Sequence, residues 1–184
     1  NMTLSKNPLF TEAVWNDSTL VLSFVKVNGF MGYKGYYDGD DLVFRFINPP
    51  SSLAGAKIAI DPGHGGKDYG ALGFLADYPE KALNSAITSY LSDELVQRGA
   101  SVLLLDTSGG MDLSTRVARA EEFGADIFVS VHNNTAPNAS AHGTEVYYFH
   151  PFAKNMAAHA SSQVSGGLGT NNRGARQSYY HVTL

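Results

Sequence analysis

From Lys57 onward, short apolar runs alternate with stretches of helical spacing, and few folds accept that rhythm. Ile58-Ala59-Ile60 is a brief apolar run that ends in Asp61-Pro62-Gly63. Between Glu80 and Arg98, Leu83, Ile87, Leu91 and Leu95 recur four apart, and Gly99 follows as a helix stop. Ser101–Asp106 holds four successive apolar residues, Val102 to Leu105, the pattern of a strand covered on both faces. Asp112 is placed to cap a helix carrying Leu113, Val117 and Ala120, which stops at Gly124. Ile127–Val131 and Val146–Phe149 read as further strands, and Pro151–Val164 as a helix. Strand-helix-strand alternation predicts an α/β fold, with a mainly parallel twisted sheet flanked by helices.

The first 50 residues differ in texture. They hold 9 of the 21 aromatics and none of the six histidines. Leu20, Leu22 and Phe24 alternate, as do Leu42, Phe44 and Phe46, with a hairpin turn predicted at Asp38-Gly39 and another near Asn28-Gly29. The expectation is a small β-rich segment of three or so strands, closed by the linker Asn48-Pro49-Pro50-Ser51-Ser52. Tyr33, Tyr36 and Tyr37 fit either a stacking platform for sugar rings or an ordinary strand surface. The division expected is thus 1–50 and 53–184.

Composition narrows the function. With 43% hydrophobic and 16% charged residues the chain can build a core, and no apolar run reaches the length of a membrane span. Thirteen Lys plus Arg against 17 Asp plus Glu give a formal charge of −4, which argues against a nucleic-acid partner. There is no cysteine, so any metal must be held by His, Asp or Glu. Asn1-Met2-Thr3-Leu4-Ser5-Lys6 lacks the pattern of a signal peptide. For an exported protein, the signal would have been removed or would lie outside this sequence.

Ligands of open α/β sheets bind beyond the carboxyl ends of the strands. His64 stands at one such end, within Asp-Pro-Gly-His-Gly-Gly, and His132 at another, within Ser-Val-His-Asn-Asn. Two imidazoles at one sheet edge can share a metal, and Glu80 is the best third ligand, since a carboxylate is favoured at the start of a helix. A His/Glu/His set suits Zn²⁺ without sulfur and leaves a coordination position open. The alternative is that both histidines are loop or core residues with backbone partners and Glu80 only stabilises its helix. Asp61 suits either a role behind the ligands or an Asx-type turn, and Asn134 either a substrate contact or a loop bond. Arg116 reads as a structural ion-pair partner. His142, His150, His159 and His181 read as surface or hydrogen-bonded residues, and Gly166–Gly174 as a flexible connection.

These residues carry a family resemblance. Lys57-Ile-Ala-Ile-Asp-Pro-Gly-His-Gly-Gly66, Glu80 with Asn84, Leu113 with Arg116, Ala125-Asp-Ile-Phe-Val-Ser-Val-His132, Asn134 and Gly143-Thr-Glu-Val-Tyr-Tyr148 together resemble the zinc-dependent N-acetylmuramoyl-L-alanine amidases of bacterial cell-wall turnover. The resemblance runs through nearly all of residues 57–184. It implies zinc held by His64, Glu80 and His132, and hydrolysis of the amide between muramic acid and L-alanine in peptidoglycan, outside the cytoplasmic membrane. It also implies a general-base glutamate on a later strand. No glutamate follows Glu145 here, and Glu145 aligns with a different position, so that base is expected beyond Leu184 and turnover by these residues is expected to be impaired. Leu105-Asp106-Thr107 stands where the family often has Thr-Arg. Residues 1–50 resemble, less specifically, the end of the β-rich wall-binding modules that precede some such amidases. Two other readings stay open: a non-catalytic peptidoglycan-binding protein that keeps the zinc pocket, and another zinc peptidase or deacylase.

Overall fold

The computed structural model describes residues 9–25, 31–48, 50–73, 78–138 and 140–183. The chain forms two compact units, Asn1–Pro49 and Pro50–Leu184.

The first unit consists of two antiparallel hairpins. Strands β1 (Phe10–Asn16) and β2 (Thr19–Phe24) join through Asp17-Ser18, with Asp17 in the left-handed region at φ 52°. Strands β3 (Gly32–Asp38) and β4 (Asp41–Ile47) join through Gly39-Asp40. Four strands thus stand where three or so were expected. The Asp17 turn contains no glycine to mark it in the sequence, although aspartate tolerates that conformation. The turn expected near Asn28-Gly29 lies outside the described residues. Phe10 packs 4.8 Å from both Phe24 and Phe46, centroid to centroid, and forms the unit's small core. Tyr33 leans on Phe44 and Phe46, whereas Tyr37 is 74% exposed.

The second unit is the α/β body. Strand β5 (Lys57–Pro62) lies at the centre of a parallel sheet, with β6 (Ser101–Leu104) on one side and β7 (Ile127–Val131) on the other. Helices α1 (Glu80–Gln97) and α2 (Leu113–Phe123) make the crossovers and pack on this sheet. Ala56, Ile58, Ile60 and Ala100 form the core, with Leu53, Leu91, Leu95, Val102 and Val129 against it. Asp112 caps α2 by accepting from the Thr115 amide at 2.9 Å, and Gly124 ends it at φ 70°. Among the described residues, no helix is long and apolar enough to cross a membrane.

Several expectations shift. Because β6 is an edge strand, Leu104 is 38% exposed rather than covered on both faces. On α1, Leu91 and Leu95 reach the core but Leu83 and Ile87 face outward. The fully buried stripe of this helix is polar: Glu80, Asn84 and Thr88, again four apart. Pro151–Ala153 forms a 3-10 turn ahead of helix α3 (Lys154–Leu168). Gly166–Gly174 is therefore not a flexible connection. Its first residues complete α3, Gly169 ends the helix at φ 62°, and β9 (Asn172–Gln177) then pairs parallel with β8 (Thr144–Tyr148). The β9 sequence Asn-Arg-Gly-Ala-Arg-Gln lacks the apolar alternation that marks a strand.

Candidate metal centre

Neighbouring strands bring the two histidines together. Pro62 pairs with Val131 across the β5–β7 ladder, so both chains leave the sheet at the same carboxyl edge, and His64 and His132 follow within two residues. His64 sits at φ 69°, unusual for a residue with a Cβ. Gly63 gives the rings room, since a Cβ there would enter the His132 imidazole. The two rings meet edge to face, centroids 4.8 Å apart.

Glu80 opens α1 and is 2% exposed. Its Oε2 accepts from the Ala71 amide at 2.8 Å and its Oε1 from the Asn133 amide at 2.9 Å. The same oxygens face the imidazoles, Oε2 lying 3.1 Å from His64 Nε2 and Oε1 2.9 Å from His132 Nδ1. Burial alone would raise the pKa of Glu80. The amides of Ala71 and Asn133, with His132 and His64, outweigh it and hold the carboxyl below its ordinary value. Glu80 is thus an anion in a buried place, which is what a cation site needs.

Ligand atoms of His64, Glu80 and His132 all fall within 4.8 Å of one another, the one such group of three among the described residues. Donor atoms this close together could all be held by one divalent ion. Two nitrogens and a carboxylate, with His64 22% and His132 39% exposed, leave the solvent side open. The residues fit a divalent metal with a free position.

Supporting groups complete the site; Asp61, Asn84 and Arg116 stand out in the sequence, whereas Asp68, Asn133 and Ser130 do not. Asp68 Oδ2 lies 2.8 Å from His64 Nδ1, which leaves Nε2 free to point at Glu80. That bond to His64 is the largest cause holding the Asp68 carboxyl below its ordinary value. Asn84 donates to the Gly63 carbonyl at 2.9 Å and accepts from the Asn133 side chain at 2.8 Å. Asn133, not Asn134, is therefore the asparagine engaged with the cluster. Asn134 is exposed and lines a cavity of about 150 Å³ beside Glu80, with Leu72, Tyr78, Leu83 and Thr135. Asp61 makes no Asx turn: it is buried and accepts from Arg116 and, at 2.7 Å, from Ser130. The other histidines are engaged elsewhere or exposed: His142 meets Asn171, His181 meets Ser114, His150 stacks on Phe152, and His159 lies exposed on α3.

Glu145 on β8 is also committed. Its carboxylate accepts from the Tyr147 hydroxyl at 2.8 Å and pairs with Arg173 at 3.2 Å and Arg176 at 3.0 Å.

Residues 58–183 match the family described as N-acetylmuramoyl-L-alanine amidase (Amidase_3). The uncharacterized protein YqiI of Bacillus subtilis (strain 168) is 36% identical over 135 residues, which span 71% of this chain and 64% of that protein. N-acetylmuramoyl-L-alanine amidase LytC of the same organism is 33% identical over 135 residues, 71% of this chain and 27% of LytC. The chain thus spans less than two thirds of the length of these curated relatives. Among solved structures, the catalytic domain of CwlV, an N-acetylmuramoyl-L-alanine amidase from Bacillus (Paenibacillus) polymyxa var. colistinus, superposes with a TM-score of 0.66 at 32% identity. That likeness covers 70% of this chain and 73% of CwlV's domain.

Proposed function

Because the chain belongs to the N-acetylmuramoyl-L-alanine amidase family, we propose that it hydrolyses the amide between N-acetylmuramic acid and L-alanine in peptidoglycan, with Zn²⁺ held by His64, Glu80 and His132. The observation that carries this reading is the convergence of two imidazoles and one buried carboxylate from three separate segments on a single open point. Zinc supplies Lewis acidity there, acidifying water and polarising a carbonyl oxygen. The chain's own residues do the rest. Asp68 and the Asn133 amide orient the donors, and the side left open by His132 admits the substrate. Asn134 and Thr135, on the rim of the cavity beside Glu80, are placed to contact the stem peptide.

Proton transfer to the leaving amine needs a general acid/base. Glu80 is committed to the metal and Glu145 to its two arginines; the family resemblance implies a general-base glutamate on a later strand, and none follows Glu145 in this sequence. These 184 residues tested by themselves are expected to turn over muropeptide about 10² to 10⁴-fold more slowly than a chain that carries it. The substrate puts the protein in the cell wall or outside the cell. Residues 1–50 are read as the end of a wall-binding module.

The test has two parts. Metal analysis of the parent chain beside His64→Ala, Glu80→Ala and His132→Ala should find zinc in the parent and most of it lost from each variant. Parent and variants with equal zinc would overturn the ligand assignment. Assays on muropeptides, plain peptides and acylated sugars, using a chain extended to include the glutamate, should show turnover of the first alone. Cleavage of the others would mark a different zinc hydrolase, and zinc with no turnover a wall-binding protein.

A further inference from the structure

We propose that Asp61 and Arg116 are positioning residues for the metal: one buried ion pair sets how both histidines are presented, and the zinc affinity with it. The inference rests on reading His64, Glu80 and His132 as ligands.

Arg116 projects from α2 and is 4% exposed, with every guanidinium nitrogen engaged. Nε donates to the Met111 carbonyl at 3.0 Å. Nη1 donates to Asp61 and, at 2.9 Å, to the Pro62 carbonyl. Nη2 donates to the carbonyl of His64 itself at 2.8 Å. The planar fork thus grips the backbone on both sides of Gly63 and holds His64 in the left-handed conformation that a residue with a Cβ otherwise avoids. Asp61 anchors the fork and is 1% exposed. Its second oxygen accepts from Ser130 Oγ at 2.7 Å. Ser130 is the cross-strand partner of Asp61 and stands two residues before His132. A single carboxylate therefore ties the backbone that presents His64 to the strand that presents His132.

Stability alone is a poor reason to keep such a pair. Buried ion pairs lose hydration on folding, and well-packed apolar residues often replace them at no loss. The partners chosen here point elsewhere: two of the three carbonyls that Arg116 grips belong to the His64 turn. Lysine would keep the charge, but its single ammonium cannot reproduce the fork.

The test measures zinc dissociation constants by chelator competition, and the visible spectrum of the cobalt-substituted chain. It compares the parent with Arg116→Lys and Asp61→Asn, with His64→Ala as the ligand-loss control. Melting of the metal-free proteins is followed in parallel. Both positioning variants should weaken zinc by about 10 to 100-fold and alter the cobalt bands at temperatures where the metal-free chain is fully folded. A role confined to stability would lower the melting temperature and leave affinity and spectrum unchanged. Folded variants that bind zinc within about threefold of the parent, far less than such losses, with the same cobalt spectrum, would overturn the proposal. Should neither variant fold, Ser130→Ala, which removes one hydroxyl, decides by the same criterion. If the parent binds no more zinc than His64→Ala, the ligand assignment falls and takes this inference with it, an outcome distinct from failure of the positioning role alone.

Discussion

Adding one methyl group at Gly70 should disable the metal site. Gly70 has φ +67°, and a Cβ there would lie 2.5 Å from His64 Cδ2 and 2.8 Å from Glu80 Oε2, inside any tolerable contact. Gly70→Ala therefore meets two costs: about 1–2 kcal/mol for the left-handed conformation and about 1–3 kcal/mol for overpacking. Gly124 supplies the control, because its φ is +70° but a Cβ there would meet nothing nearer than Lys57 Nζ at 3.6 Å. Gly124→Ala pays the conformational cost alone. At roughly 2–4 °C per kcal/mol, Gly70→Ala should lower the melting temperature of the metal-free protein by about 4–20 °C and Gly124→Ala by about 2–8 °C. Zinc affinity, measured by chelator competition on the folded proteins, should fall in Gly70→Ala and hold in Gly124→Ala. Equal losses of stability in the two variants, with zinc affinity intact in both, would show that Gly70 does not abut the ligands. The packing described around Glu80 would then be wrong.

Other outcomes follow from the same reasoning. Burial first, and then the bond to Glu145, push the Tyr147 hydroxyl up to about 12. The raised value favours the neutral phenol in the fold, so its contribution is complete below pH 10 and is lost as pH climbs toward 12. Denaturant midpoints should fall more between about pH 9 and about pH 11 in the parent than in Tyr147→Phe, and parallel curves would refute this. Asp112 is held below its ordinary 3.8 by its bonds to Thr115, so its cap is intact above that value and is lost as pH falls below it. Asp112→Ala should lower the melting temperature by about 2–4 °C near neutral pH, with the gap closing in acid, as read by circular dichroism. Ile60, fully buried at the centre of the sheet, should cost about 2–5 kcal/mol when cut to alanine, measured by urea denaturation.

The α/β body was legible where hydrophobic spacing matched element type. Ile58–Ile60, Ile127–Val131 and the capped helix from Leu113 lie where periodicity and Asp112 indicated. Legibility failed at β9 and in the first hairpin. The strand Asn172–Gln177 is polar and held by its ladder to β8, and the Asp17 turn does without glycine. β9 is settled by a partner far along the chain, Thr144 pairing with Asn172, whereas the first hairpin pairs locally, Asn16 with Thr19, across a turn that no glycine marks. Leu83 and Ile87 misled because α1 carries two stripes: its apolar face reaches the core only at its later turns, while Glu80, Asn84 and Thr88 are sealed in.

The sequence by itself determined the donor types and their attachment to strand ends, because His64 and His132 follow apolar runs directly and Glu80 opens a helix. Local order on the chain suffices for that. Tertiary structure alone decided which groups hold those donors in place. The Asn133 amide on Glu80 and the fork of Arg116 with Asp61 and Ser130 depend on parallel pairing of β5 with β7 and on the placing of α1 and α2 against the sheet. Hydrogen bonds are short-ranged and directional, so they form only after the sheet has brought distant residues within about 3 Å, a distance that spacing along the chain does not encode.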